Sequence, residues 1–509
     1  MSPASDSVSS AALAANLTQE PDNERARAFH VLQRLTFGPA PGDIKKVQDI
    51  GVEQFIQQQL NPSNLQLEQG LQQSLSEKDA LNLTPLELFI KYGRPAVKLA
   101  GGAQAAGRGA KPSVEQKKAI QKQVKENYQK LYMESASARF ERALYSPRQL
   151  QELMADFWFN HFNISFDKGL DHLWVGSFEE QAIRPHVFGR FRDLLGATAH
   201  HAGMLFYLDN WQNSVAGNQA AKSKGRFKGL NENYARELME LHTLGVDGGY
   251  KQKDVVELAR VLTGLGIVNR SAGTLRNLQQ NSERSPMGYV FDSKRHDFGP
   301  KVLLGHQIRA SGEAEIEEAL DLLAKHPSTA KHISFKLAQY FVSDNPPPAL
   351  IDKLSKVYLA SDGNIREILN TLFHSSEFFD PQYRNAKFKS PYRYMLSALR
   401  ASDADVERPA LLTRFLKQQG QPLFQCLTPD GYKCTQSAWL NSDALLNRIS
   451  FASGLGTGRM PGVTAHITST ADLTDMMPIL SASTQNTLRD APARLHPVLL
   501  LGSPEFMMY

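Results

Sequence analysis

The side chains best suited to chemistry in this 509-residue chain fall into three groups. Asp156, Asn160 and His161 lie in ADFWFNHF, Asn231, Asn233, Arg236 and Glu237 in NENYARELMELH, and His296, Asp297 and Lys301 in RHDFGPK. Histidines and carboxylates can move protons near neutral pH, and cations and amides can hold an oxyanion or orient a substrate. His161, Glu237, His296 and Asp297 are therefore the catalytic candidates. Asp156, Asn160, Asn231, Asn233, Arg236 and Lys301 are the substrate-binding ones.

Each group also has a plain reading. At about 100° per residue, Leu150, Leu153, Met154, Phe157, Trp158 and Phe162 form one apolar stripe with His161 in its middle. His161 is expected to point inward, either as a core histidine on a backbone carbonyl or as a base at the floor of a cleft. On the second segment, Tyr234, Ala235, Leu238, Leu241 and His242 share an apolar side. Glu232, Asn233, Arg236, Glu237 and Glu240 share the polar side, which reads as a solvated face or as a buried network. The fixed order of its polar types favours the network, because each unsatisfied buried group costs roughly 1–3 kcal/mol. His296 and Asp297 precede the turn-prone Gly299-Pro300, which suits either a functional loop or a turn held by Asp297.

The elements that must position these residues are mostly helical. Apolar periodicity predicts helices over 27–35, 43–51, 52–60, 114–145, 231–244 and 253–262, and from 313 to the C-terminus with proline breaks. Ser146-Pro147 reads as a helix start. The polar helix 114–145 looks solvated or bridging. Between 285 and 305 the periodicity lapses, and 289–291 could pair with 301–304 as short strands. The expected fold is mainly α: a disordered segment over 1–24, then one large helical domain over 25–509. Flexible insertions are expected near 97–113 and 213–229. No internal repeat is found.

Composition narrows the classes. A net charge of +5 over 509 residues is too dilute for a nucleic-acid face. No run approaches 18 apolar residues, so no helical membrane span is expected. The two cysteines, Cys426 and Cys434, fit no zinc spacing and read as free thiols, with a disulfide as the alternative. Val246 to Glu257 lacks the alternating ligands of a calcium loop. No Walker loop, nucleophile elbow or dinucleotide fingerprint occurs. The cofactor and any metal are left open. His200-His201 reads as an exposed structural pair.

Several segments carry a family signature. They are RLTFGP from Arg34, DFWFNHF from Asp156, MLFYLDN from Met204, NENYARELMELHTLGVDGG from Asn231, HDFGPK from His296, PDGY from Pro429 and SPEF from Ser503. Together they span nearly the whole chain, which resembles the bacterial family called domain of unknown function 1800. Leu265 stands where that family usually has tryptophan, and the cysteine pair lies outside the pattern. The resemblance implies no settled activity. It implies secreted or periplasmic proteins encoded beside a family related to sulfatases and phosphatases.

Two functional expectations follow. One is a hydrolase-like enzyme, its three residue groups converging on one interhelical cleft, with an anionic or carbohydrate-like substrate. The other is a non-catalytic scaffold for the sulfatase-related partner. With no export signal in the sequence, a cytoplasmic location is the default expectation and export alongside a partner is the alternative.

Overall fold

In the computed structural model the described residues are 24–93, 113–215, 229–268, 285–309, 311–467 and 480–509. Residues 1–23 of the expected disordered segment and most of both expected insertions lie outside them, while Glu24 is helical. The architecture is mainly α, with small two-stranded sheets.

Three helices do most of the positioning. The helix Val114–Tyr145 begins at a capping box, in which Ser113 and Gln116 bond each other's backbone amides. Its first half is exposed. From Leu131 onward it buries Leu131, Tyr132, Ala136, Phe140 and Ala143, and with them Arg139 and Arg142. The expectation of a solvated helix therefore fails for the second half. There the small residues Ser135, Ala136, Ala138 and Ala143 let neighbouring helices approach.

The helix Gln149–His161 is buried along most of its length, and Trp158 is fully enclosed. It starts two residues after Ser146-Pro147. The Ser146 hydroxyl instead accepts from the Arg148 N–H at 3.1 Å in the preceding turn. The helix Pro327–Phe341 buries Thr329, Ala330, Ile333, Ser334, Leu337, Ala338 and Phe341, and it packs against Pro348–Ala360. One hydrophobic core joins these elements, running from Ala28 to Met507.

The helix expected over 231–244 is split. It is α over Asn233–Glu237 and widens to a π turn over Leu238–His242. The Thr243 hydroxyl bonds the carbonyl of Leu238, five residues back, at 2.6 Å. Such widening inserts one residue into a turn and frees carbonyls from the helical ladder.

The expected strands exist, but with other partners. Tyr289–Phe291 pairs antiparallel with Leu265–Ile267, and Lys301–Leu303 pairs with His306–Ile308. The second hairpin turns at Leu304-Gly305, with φ of 50° and 82°. Positive φ at both central residues defines the turn that matches strand twist. Leucine is a poor sequence signal for such a turn, so the pattern does not reveal the adjacent partner.

Candidate functional site

A cavity of about 410 Å³ opens between the helices Gln149–His161 and Pro327–Phe341. Asp156, Asn160 and His161 line one wall; His332, Lys336 and Tyr340 line the other. Those last three recur every fourth residue, so one helix face presents them all. The π turn contributes Glu240 and Leu241, and the segment from Cys426 to Cys434 closes a further side. Both cysteines are free.

Asp156 sits at the edge of a buried charge network. Arg139 binds Glu179 at 2.7 Å and Asp156 at 3.3 Å, its guanidinium lying between the rings of Phe159 and Phe424, 4.7 Å from each. Behind it, Arg184 binds Glu152 and Glu179, both at 3.0 Å, and Arg142 binds Glu180 at 2.7 Å. Arg139 is shared and nearer to Glu179, so Asp156 is the less compensated carboxylate. Burial pushes its pKa up and the Glu179 charge adds to this, against the pull of Arg139. Among the described residues its single hydrogen bond is to Oδ1, from Arg139. Its side chain keeps 27% exposure, leaving a carboxyl group able to exchange protons with the cavity.

The histidines are oriented by the π turn. His161 Nε2 lies 3.1 Å from the His242 carbonyl, and His332 Nε2 lies 3.2 Å from that of Leu241. A carbonyl only accepts, so each Nε2 carries the proton and each Nδ1 keeps a lone pair. Burial and the Lys336 charge push both pKa values down, that of His332 to about 4. His161 thus bonds a backbone carbonyl and also lines the cavity; its Nδ1 is buried without a partner. Lys336 is half-buried and forms no hydrogen bond or ion pair among the described residues. Burial pulls its pKa down. No group of three histidines, cysteines or carboxylates among the described residues is placed to hold a metal ion.

Asn160 is not free for substrate. Its Nδ2 donates to the Tyr432 carbonyl at 2.8 Å, and its Oδ1 accepts from the Tyr432 N–H at 2.7 Å. Asn163 Nδ2 donates to the carbonyls of Cys426 and Thr428, and the Tyr207 hydroxyl donates to that of Leu427. Gly431 has φ 68°, and a Cβ there would meet the Asn160 carbonyl at 2.2 Å. Asn160 thus ties DFWFNHF to PDGY, and Asn163 and Tyr207 tie down the residues just before PDGY.

The second group lies at the periphery. Asn231 Nδ2 donates to Asp209 O at 3.3 Å and Asn233 Nδ2 to Leu208 O at 3.1 Å. Arg236 pairs with Glu232 at 3.2 Å and Glu240 at 3.6 Å, and bonds Gln252 at 2.9 Å. This face is half-exposed, so the buried network expected there is absent. Its asparagines act locally, satisfying carbonyls at a tight turn where Asp209 has φ 60°. Glu237 is outside the cavity lining. Its carboxyl is pushed up by burial, with the nearby Glu240 and Asp430 charges adding to the shift.

The third group stands apart from the cavity. His296 Nδ1 bonds the Thr263 carbonyl at 2.8 Å, and its Nε2 is 3.4 Å from Glu315. Lys301 Nζ bonds Glu315 at 2.7 Å, the Gly299 carbonyl at 3.2 Å and the Asp297 carbonyl. Asp297 pairs with Arg260 at 2.8 Å and accepts from the Gly299 N–H at 2.8 Å. The Arg260 bond holds its carboxyl below the usual range. His201, expected to be exposed, is fully buried. Its Nδ1 accepts from the Gly203 N–H at 3.0 Å, and burial lowers its pKa to about 3.

Sequence reasoning missed Lys336, His332, Tyr340 and Arg139. The one available signal was the four-residue spacing of His332, Lys336 and Tyr340 along one helix.

Fold and site together define a helical protein with an interhelical polar cavity closed by a clamped segment. The family model described as protein of unknown function (DUF1800) matches residues 30–508, and the chain belongs to that family. No curated protein and no solved structure gave a match to it. Among the described residues, no helix is long and apolar enough to cross a membrane.

Proposed function

We propose that the cavity is the catalytic site of a hydrolase-like enzyme acting on an anionic or carbohydrate-like substrate. The observation that carries this reading is the gathering around one open hollow of Asp156 and Lys336, the first with one carboxyl oxygen unbonded and the second unpaired among the described residues. Asp156 is the acid–base group: its raised pKa lets it hold a proton for a leaving group or take one from water. Lys336 faces the oxygen that gains negative charge. His161, whose Nδ1 is enclosed, orients the wall beside them.

The test is hydrolysis of chromogenic phosphodiesters, sulfate esters and glycosides by the whole chain. Asp156→Asn is expected to lower the rate by about 10²–10⁴-fold while leaving the unfolding transition in place. Equal rates in the variant and the parent would sink the proposal.

A second reading is a non-catalytic scaffold for a sulfatase-related partner. It is favoured by the exposed apolar side chains Val246 and Leu427, 69% and 72% accessible, the first lining the cavity and the second in its closing segment. A stable stoichiometric complex, lost in Leu427→Asp, together with no turnover in any assay, would establish that reading instead.

A further inference from the structure

Among the described residues, the charged side chains lining the cavity are paired except at one place. Three carboxylates line it: Asp156 is paired with Arg139 at 3.3 Å, Glu240 with Arg236 at 3.6 Å, and Asp430 with Lys433 at 2.5 Å. Lys336 is the lining cation left without a partner among the described residues. A half-buried ammonium with no ion-pair partner is costly, and the cost falls when a negative group comes to it. Its near neighbours are neutral imidazoles. His161 faces it from one helix, His332 lies one turn back on its own, and His242 is on the π turn. The His161 ring centre is 6.0 Å from that of His242 and 6.2 Å from that of His332.

The remaining groups that face Lys336 do not neutralise it. Asp430 is held by Lys433, and Lys433 itself repels. The Cys434 thiol is pushed up by burial and donates to Gln339 Oε1 at 3.4 Å, so it is not a thiolate near neutral pH. Glu240 belongs to Arg236, and burial keeps the Tyr340 hydroxyl protonated. The cavity lining also includes the aromatic rings of Phe157, Phe335 and Phe424.

Building on the reading of the cavity as a small-molecule site, we propose that Lys336, flanked by His161 and His332, binds an oxyanion group of the ligand, a carboxylate, phosphate or sulfate, while the ligand's apolar part lies on the aromatic wall. The imidazole Nε2–H groups are committed to the carbonyls of His242 and Leu241 and the His161 Nδ1 is enclosed, so Lys336 is the donor to the anion. Burial lowers its pKa, so a bound anion favours the ammonium form and affinity falls as pH rises through that pKa.

The test is calorimetry on the full chain with inorganic phosphate and with benzoate, near pH 6 and near pH 8.5, in two buffers of different ionisation heat. Binding should be weaker at the higher pH, and the heats should differ between buffers by the enthalpy of the proton taken up. Lys336→Met should weaken binding by about tenfold or more, and Lys336→Arg should restore most of it. The same Lys336→Arg variant, charged at both pH values, should lose the buffer-dependent heat. Phosphate binding without benzoate binding would assign a phosphate or sulfate ester, and the reverse a carboxylate; no binding of either overturns the proposal. So does equal binding by Lys336→Met, its fold checked by circular dichroism. If no anion binds while Asp156→Asn still abolishes turnover, the hydrolase reading stands and this one falls. If anions bind and Asp156→Asn turns over normally, the outcome is reversed.

Discussion

At residues 296–315 a histidine, a lysine and a glutamate are packed together; at the cavity, histidines, a lysine and an aspartate are gathered again. In the first cluster Glu315 and Lys301 are 0% and 2% exposed and bonded to each other at 2.7 Å, and the remaining Lys301 donors reach backbone carbonyls. In the second, among the described residues, Lys336 has no ion-pair partner and Asp156 keeps an unbonded oxygen. Similar side chains do opposite work: one set closes a loop onto the scaffold, and the other is left with bonding capacity that a ligand could fill. Residue type does not separate them; the completeness of local pairing does.

The sharpest way to break this contrast is to make the same substitution in both places. Lys301→Met leaves Glu315 buried with only His296 beside it, and should cost about 3–5 kcal/mol of stability, read as a lower denaturation midpoint. Lys336→Met removes an uncompensated charge and should leave the midpoint unchanged or raised. Equal losses at the two sites would erase the distinction. Next in size is Asn160→Ala, which strips the Tyr432 N–H and carbonyl of their partners, a cost of roughly 1–3 kcal/mol for each group left unsatisfied. Faster protease cleavage within residues 426–434 should accompany it, and unchanged cleavage would show that the clamp does not hold that segment.

A smaller effect comes from pH. His242 is 1% exposed, and burial, with the Lys336 and His332 charges, lowers its pKa from 6.5 to about 3. Below pH 6.5 the unfolded chain takes up a proton that the folded chain refuses. Stability from this residue is therefore full above 6.5 and is lost on the way down to about 3, by about 1.4 kcal/mol per pH unit. His332, lowered to about 4, acts in the same direction. Asp156, raised, acts in the opposite one, losing stability as pH rises through its folded pKa. Denaturation midpoints between about pH 7 and pH 5 should fall, and His242→Leu should flatten the slope; an unaltered slope would mean that this histidine titrates normally. Smallest is Arg236→Ala. Its ion pairs are 36% exposed on the arginine side, so stability should shift by no more than about 0.5–1 kcal/mol. A larger change would restore the buried network to that helix face.

The helical class, the long helix 114–145 and the inward aim of His161 were legible because period and composition carry them. Local alternation also revealed the strand 289–291, but its partner depended on a turn centred on leucine. Asp156 could be placed on a helix face, whereas its raised pKa depends on Arg139 and Glu179, which that helix does not supply. Asn160 stood out as a polar group at a fixed place, but sequence spacing could not show that Tyr432, 272 residues away, takes both ends of its amide. Lys336 was invisible for a simpler reason: a lysine in a helix is ordinary until the fold withholds its partner.

The widened turn at Leu238–His242 has an unusual corollary for engineering. Deleting one residue from a regular helix normally shifts every downstream contact and damages packing. Here the same deletion would return the backbone to its commoner winding, so local helicity could improve while both imidazoles lost the carbonyls that fix their tautomers. Robustness and ring orientation would then move in opposite directions after a single-codon change.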